Sequence, residues 1–145
     1  MFKHILLPTD GSKLSENSVR RGMQLAKALD AKVTVMHVIA KFDEETNEIE
    51  MLESSHHAYA AESVERAKCY LNFARKVALG ARVQCETVQV VGDQPSKEII
   101  QMADAKGCDL IQMASHGRRG IEGLLLGSET QKVLTHSKIP VLVYR

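Results

Sequence analysis

Short apolar runs alternate regularly along this chain with longer segments of helical period, and this alternation restricts the folds open to it. Five runs rich in β-branched residues are typical of strands, and four longer runs carry apolar residues at helical spacing. This order predicts a parallel sheet covered by helices. The predicted strands cover residues 4–8, 32–39, 81–91, 108–114 and 140–145. The first predicted helix follows Ser12 or Ser15, and the others cover residues 57–79, 95–106 and 128–136. Gly80 is expected to end the second helix.

The composition indicates one folded domain, residues 1–145. Hydrophobic residues make up 44% of the chain and charged residues 26%, which is ordinary for a globular protein. No apolar run reaches the roughly 18 residues that a membrane span needs. The formal net charge is only +1, so we expect neither a nucleic acid nor a membrane as partner, and any anion site must be local.

The cysteines and the N-terminal residues indicate a cellular compartment. Cys69, Cys85 and Cys108 are an odd number and have no C-x-x-C spacing, which fits neither a disulfide framework nor a zinc site. The apolar opening run is not followed by a cleavage site of small residues, so secretion is not expected. We therefore predict a cytoplasmic protein with three thiols.

Two glycine-containing loops each directly follow a predicted strand. They cover residues 8–12 and 114–128. In open α/β sheets, ligands bind beyond the carboxyl ends of the strands, where the strand order reverses. If both loops contribute to one site, the first and fourth strands must be neighbours. This predicts an α/β fold with an open, doubly wound, five-stranded parallel sheet in the order 3-2-1-4-5 and helices on both faces.

The second loop is typical of an anion site. Its four glycines allow backbone amides to approach phosphate oxygens. The fourth helix begins at Ser128, so its N-terminal amides and its dipole point to the same place. Arg118 and Arg119 can add charge-assisted contacts. Asp10, in the first loop, is a candidate acceptor for ribose hydroxyls or a ligand for a phosphate-bound divalent ion.

Local structural roles compete with these assignments. The four residues from Ser128 match a capping box, in which Ser128 only satisfies helix amides. Asp10 alone can cap the first helix or bond the turn amides. We expect His116 to be a loop residue oriented by its neighbours, because no activated nucleophile accompanies it. The loop also lacks the spacing and the lysine of a P-loop.

Residues 40–56 are longer than an ordinary connection between a strand and a helix. They carry six acidic residues, Asp43, Glu44, Glu45, Glu48, Glu50 and Glu53. This predicts a mobile acidic flap. Its role is either a lid over a ligand or a solvated insertion without one.

Motifs along nearly the whole chain match those of a known family. They lie in residues 5–12, 37–39, 90–92, Pro95, the glycine loop and residues 139–143. On these residues the chain resembles the universal stress proteins. The nucleotide-binding branch of that family carries G-x-x-G, nine residues, then G-[ST]. Gly117, Gly127 and Ser128 match this pattern, whereas Ala114 stands at the first glycine.

The resemblance implies ATP or AMP as ligand, with Mg²⁺ or Mn²⁺ as the divalent ion. Gly117, Gly127 and Ser128 would hold the phosphates. Residues 8–10 would lie at ribose and base, and the main chain of Val38 would meet adenine. The full set of candidate nucleotide-binding residues is Pro8, Thr9, Asp10, Val38, Ala114, His116, Gly117, Arg118, Arg119, Gly127, Ser128 and Glu129.

The resemblance also implies a homodimeric regulator or sensor of the stress response, with slow ATP hydrolysis at most. A fifth strand at the sheet edge would expose unpaired apolar backbone, which two-fold antiparallel pairing with a second copy would cover. The expected dimer residues are Pro140, Val141, Leu142, Val143 and Tyr144.

Two alternatives remain open at this point. Ala114 motivates a ligand-free dimeric interaction module of the same fold with a vestigial pocket. Asp10 with a metal, together with Arg118 or Arg119, would suit a hydrolase or a nucleotidyl-transfer enzyme.

Overall fold

A computed structural model describes residues 1–41, 52–117 and 126–145. Strands and helices alternate strictly along it, as the sequence predicts. In chain order the elements are β1 (His4–Pro8), α1 (Lys13–Leu29), β2 (Lys32–Ile39), α2 (Leu52–Ala81), β3 (Cys85–Val91), α3 (Pro95–Lys106), β4 (Leu110–Ala114), α4 (Ser128–His136) and β5 (Val141–Tyr144).

The strands form one parallel sheet in the order β3-β2-β1-β4-β5. The predicted fold class and strand order are therefore confirmed. β1 lies at the centre, where Ile5 pairs with Val33 of β2 on one side and with Leu110 of β4 on the other. The direction of the chain connections reverses beside β1, so the rim between the carboxyl ends of β1 and β4 is the switch point at which folds of this kind form a ligand-binding crevice.

Helices cover both faces of the sheet, and each face has its own hydrophobic core. Successive residues of a strand point to opposite faces, so Ile5 and Leu7 face one core while Leu6 faces the other. α1 and α2 pack on the first face, and α3 and α4 on the second. The central strands read as continuous apolar runs because both of their faces are buried. The largest buried side chains are Ile5, Leu6, Leu7, Met23, Met36 and Ile111.

The second helix is longer than predicted at both ends, and Gly80 does not stop it. Gly80 lies inside α2, and the residue in the left-handed conformation after the helix is Arg82, at φ 56°. Val83 then donates its N–H to the carbonyl of Ala78 at 3.0 Å. Because this hydrogen bond closes the helix end, β3 begins at Cys85, later than predicted.

β4 and β5 are also shorter than predicted. Cys108 donates its N–H to the carbonyl of Ala103 at 2.8 Å, so it belongs to the end of α3 and not to β4. Pro140 has no N–H to donate to a ladder, and β5 begins only after it. The carbonyl of Pro140 still accepts the N–H of Ile111 at 3.0 Å.

All three cysteines are free thiols, as predicted. Cys69 is exposed on α2, whereas Cys85 and Cys108 are more enclosed. Burial raises the pKa of both of these thiols to about 11. Among the helices of the described ranges, none combines the length and the apolar character that crossing a bilayer requires.

His4 is a buried histidine at the amino end of the sheet. Its Nε2 atom lies 2.8 Å from the hydroxyl oxygen of Thr34. Burial, and next the positive charge of Lys32, lower the pKa of the imidazole. The backbone N–H groups of His4 and Lys3 donate to the Asp109 carboxylate, at 3.0 and 2.8 Å. Burial raises the pKa of Asp109, but these two donors outweigh it and leave the pKa lowered.

We expect the stability of the fold to fall as the pH drops through the histidine range. Unfolded His4 takes up a proton near its ordinary pKa of 6.5, whereas folded His4 resists protonation until a lower pH. The unfolded state thus binds more protons in this window, so the contribution of His4 is complete above about pH 7 and declines on acidification. Urea titration at several pH values measures the free energy of unfolding.

The comparison variant for this experiment is His4→Gln, which cannot titrate. Its unfolding free energy should decline less than that of the wild type between about pH 6.5 and pH 5. The pKa values of Asp109 and Glu129 are lowered from 3.8 and 4.5. These two carboxylates therefore change the free energy of unfolding only at more acidic pH. If the unfolding free energies of the wild type and of His4→Gln decline equally with pH in that window, His4 is not the cause of the decline.

Candidate functional site

The loop after β1 is held by its own side chains. The Asp10 carboxylate accepts the N–H of Ser12 through Oδ1, at 2.9 Å. Ser12 is the N-cap of α1, and its hydroxyl accepts the N–H of Ser15 at 3.2 Å. The hydroxyl of Thr9 lies 3.0 Å from that of Ser15 and accepts the N–H of Gly11 at 3.2 Å. Asp10 therefore bonds a turn amide, as one of its two alternative roles predicted. This hydrogen bond fixes Oδ1 of the carboxylate.

The two ends of the second loop are drawn together by backbone hydrogen bonds. Ser115 accepts the N–H of Gly127 at 2.6 Å, and its own N–H donates to the carbonyl of Tyr144, at the end of β5, at 2.7 Å. The hydroxyl of Thr130 donates to the carbonyl of Ala114 at 3.0 Å. The start of α4 is thereby anchored directly beside the end of β4.

Asp10 and Gly117 bring the two loops into contact. A Cβ atom placed on Gly117 would lie 2.2 Å from Oδ2 of Asp10. A Cβ on Gly127 would lie 3.2 Å from the Cα of His116 and 3.3 Å from the carbonyl oxygen of Ser115. The two glycines thus give the carboxylate and the neighbouring backbone the room for this close approach.

Among the described residues, no side chain caps the first turn of α4. Its N-cap is Gly127, so the capping box predicted from Ser128 is wrong: Ser128 is already the first helical residue. The Ser128 side chain is exposed, and within the part of the chain that the structure describes it makes no hydrogen bond. The positive end of the helix dipole therefore faces the crevice with its first amides uncapped by a side chain.

Glu129 joins α4 to α3. Its Oε2 atom accepts the N–H of Ser96 in the first turn of α3 at 2.8 Å, and its Oε1 atom lies 3.1 Å from the Lys132 ammonium. Burial raises the pKa of Glu129, but the Ser96 N–H and then Lys132 outweigh it and leave the pKa lowered. Because the Glu129 carboxylate is already bonded to Ser96 and Lys132, Glu129 would contact a ligand through its backbone N–H.

β2 extends past the end of β1 and presents main-chain groups there. Met36 accepts the N–H of Thr9 at 2.9 Å, on the β1 side, and Ile39 accepts the N–H of Gly92 at 3.0 Å, on the β3 side. Backbone groups of successive strand residues point to alternate sides. Val38 therefore directs its N–H and C=O to the same side as Met36, at a level where β1 has already ended.

Sequence reasoning missed His37 and Tyr70. The Nδ1 atom of His37 lies 2.8 Å from the carbonyl oxygen of Thr9, and its ring meets that of Tyr70 edge-on at 5.1 Å. A Cβ on Gly11, whose φ is 76°, would lie 2.1 Å from the Tyr70 ring. A polar residue inside the apolar β2 was the available signal for His37, whereas no local pattern points to Tyr70.

Of the remaining predicted residues, the structure describes some and leaves others undescribed. His116 is half-buried, and its Nδ1 atom lies 3.2 Å from the Ser115 hydroxyl, so a neighbour orients it as expected. Arg118, Arg119 and most of the predicted acidic flap lie outside the described residues. Within residues 1–41, 52–117 and 126–145, no group of three or more His, Cys, Asp or Glu side chains is arranged to hold a metal ion.

The chain belongs to the universal stress protein family, whose family model matches residues 1–145. It is 30% identical to universal stress protein YxiE of Bacillus subtilis, covering 100% of both chains. It is also 30% identical to universal stress protein MJ0577 of Methanocaldococcus jannaschii, covering 100% of this chain and 96% of that protein.

Solved structures match the fold as well. A structure of MJ0577 superposes with a TM-score of 0.79 at 32% identity, covering 99% of this chain and 96% of that one. A universal stress protein in complex with cAMP superposes with a TM-score of 0.62 at 27% identity, covering 99% and 97%.

The contact between the loops predicts a measurable coupling between Asp10 and Gly117. Gly117→Ala should lower the free energy of unfolding, because the new methyl group displaces an anchored carboxylate. In the Asp10→Ala background the same change should cost less, by about 0.5–1 kcal/mol. Urea titration of the four proteins in this cycle measures the coupling.

The matched control for this cycle is Gly80→Ala. Gly80 lies in α2 with no atom within 4 Å of a built Cβ, so alanine there should stabilise the protein in both backgrounds equally. Strict additivity of Asp10→Ala and Gly117→Ala would mean that the two loops are not in contact.

Proposed function

We propose that this protein binds an adenine nucleotide, ATP or AMP, in the crevice between β1 and β4. We propose that it acts as a homodimeric regulator or sensor of the stress response, in which occupancy and not turnover carries the signal. The observation that carries the proposal is the Asp10 carboxylate lying against the Gly117 backbone beside the uncapped start of α4. One polar acceptor and a group of amide donors face the same crevice.

The phosphates are assigned to the amide side of the crevice. Gly127 is the N-cap of α4, and the N–H groups of Ser128 and Glu129 belong to the first turn of that helix. Helix N-termini bind phosphate because their amides and dipole favour negative charge. The Ser128 hydroxyl adds a further donor, and Arg118 and Arg119 remain proposed partners for phosphate charge.

Ribose and base are assigned to the β1 and β2 side. The Asp10 carboxylate, whose Oδ1 atom accepts the Ser12 N–H, is assigned to the ribose hydroxyls. The N–H of Thr9 donates to the carbonyl of Met36 in β2, and Pro8 has no N–H to donate. We therefore assign recognition of the base to the backbone N–H and C=O of Val38. These two groups match the N1 acceptor and the N6 donor of adenine. The relative in complex with cAMP supports an adenine nucleotide as the ligand class.

Ala114 does not argue against the pocket. It lies in β4, and among the described residues other than glycine only Asp30 and Arg82 have a positive φ. Ala114 therefore carries no left-handed strain, and its carbonyl is used by the Thr130 hydroxyl. The motivation for a vestigial pocket is thereby weakened.

A divalent ion fits this site as a companion of the nucleotide. Mg²⁺ is usually bound through one or two carboxylates together with substrate phosphates, and Asp10 supplies one carboxylate at the crevice. The ion, Mg²⁺ or Mn²⁺, would neutralise phosphate charge there. The three free thiols fit a reducing compartment, and we propose the cytoplasm.

Calorimetric titration of the purified protein with ATP and AMP tests the binding proposal. ATP and AMP should both bind. GTP should bind more weakly, because guanine has a donor at N1 and an acceptor at O6, the reverse of adenine. Ser128→Ala should weaken ATP binding about three- to tenfold while stability is unchanged, because the hydroxyl caps nothing. Gly127→Val should abolish binding.

The control variant is Thr135→Ala, which removes an exposed hydroxyl from the opposite end of α4. It should bind ATP like the wild type. The absence of a heat signal with both ATP and AMP for the folded wild type would overturn the proposal.

The dimer is assigned to β5 because this strand lies at the edge of the sheet. The carbonyls of Pro140 and Tyr144 accept N–H groups of the β4 side, so the alternate residues Val141 and Val143 direct their backbone outward. Leu142 is 45% exposed. An apolar groove of about 370 Å³ adjoins the strand and is lined by Met1, Phe2, Leu25, Leu29, Leu110, Pro140, Val141 and Leu142.

Val143→Pro should convert the dimer to a monomer. The change removes an outward N–H and leaves the hydrogen bonds to β4 in place, because those use the alternate residues. Light scattering at micromolar concentration measures the mass, and circular dichroism checks the fold. Val143→Ala, the matched control, should remain a dimer. A wild type that is monomeric in this measurement would contradict the assignment.

A further inference from the structure

We propose that His37 and Tyr70 are positioning residues that hold the main chain on both sides of Asp10 in the geometry required for the nucleotide. This inference rests on the proposed function and adds two residues to it. The juxtaposition that carries it is the His37 ring on the Thr9 carbonyl together with the Tyr70 ring on Gly11.

His37 ties the residue before Asp10 to β2. It follows Val33 and Val35 at strand spacing, so its side chain lies on the face of the sheet that α2 covers. A carbonyl oxygen only accepts, so Nδ1 of His37 carries the hydrogen in its contact with Thr9. The N–H of Thr9 is bonded to the same strand, and both main-chain groups of this residue are therefore fixed by β2.

Tyr70 holds the residue after Asp10. Its ring, half-buried on α2, occupies the space in which any other residue at position 11 would place a Cβ. Gly11 also has a φ of 76°, which side chains with a Cβ rarely adopt. The edge-on contact of the two rings at 5.1 Å joins both supports into one unit.

The unit acts on the nucleotide through Asp10. A carboxylate whose two neighbours are fixed loses little freedom when ribose hydroxyls bind, and such preorganisation increases affinity. The hydrogen bond from Ser12 to Oδ1 fixes the side chain as well. His37 and Tyr70 thus determine how precisely the Asp10 carboxylate is presented, although neither is assigned a contact with the ligand.

The experiment compares a disruptive and a conservative variant at each position by calorimetric titration with ATP. His37→Leu removes the donor, whereas His37→Asn retains one near the place of Nδ1. We expect ATP affinity to fall about three- to tenfold in His37→Leu and to stay within about twofold of the wild type in His37→Asn. Tyr70→Leu should weaken binding similarly, and Tyr70→Phe, which keeps the ring beside Gly11, should weaken it less.

Amide hydrogen exchange of the ligand-free variants provides the second measurement. Protection of the Gly11 and Ser12 amides should decrease in His37→Leu and Tyr70→Leu but not in the conservative variants. Urea titration identifies any variant whose overall stability has changed. Rescue by Asn and a smaller effect of Phe than of Leu, in affinity and in exchange, support positioning.

Two results overturn the inference, and they have different meanings. If the wild type binds ATP and His37→Leu binds within twofold of it with unchanged exchange at Gly11, the positioning role is wrong while the proposed function stands. If the folded wild type binds neither ATP nor AMP, the proposed function fails and the positioning role fails with it.

Discussion

The central position of β1, hydrogen-bonded to β2 on one side and to β4 on the other, is the constraint on which the site depends. Ile5 pairs with residues of both neighbours, and the strand from His4 to Leu7 is fully buried. Because the chain connections reverse beside this strand, the loops that follow β1 and β4 meet at one rim. Asp10 consequently lies against Gly117, although more than half of the chain separates them.

The polar groups around this crevice divide into those used inside the protein and those directed outward. Thr9, one oxygen of Asp10 and the Glu129 carboxylate are bonded internally. The first amides of α4 and the main chain of Val38 are directed at the crevice. Internal bonding anchors the described ends of the loops without using the groups assigned to the ligand. Ser115 extends this support to the end of β5, the strand proposed to form the dimer.

The sequence predicted the sheet order and the neighbourhood of the two loops, but it misjudged several element ends. Strand order followed from the periodicity and from where the glycine loops stand along the chain. The end of α2 did not, because Arg82 takes the left-handed conformation that was expected of Gly80. The capping box failed because Gly127 is the N-cap and Ser128 is already the first helical residue.

Periodicity and motif spacing are properties of a linear chain, so they were enough to predict the α/β class, the family and the loops that carry Asp10 and Gly117. The position of the Tyr70 ring beside Gly11 and the hydrogen bond from His37 to the Thr9 carbonyl became visible only in three dimensions. These contacts join residues of separate elements. Their geometry follows from how α2 packs on the sheet, which no local pattern encodes.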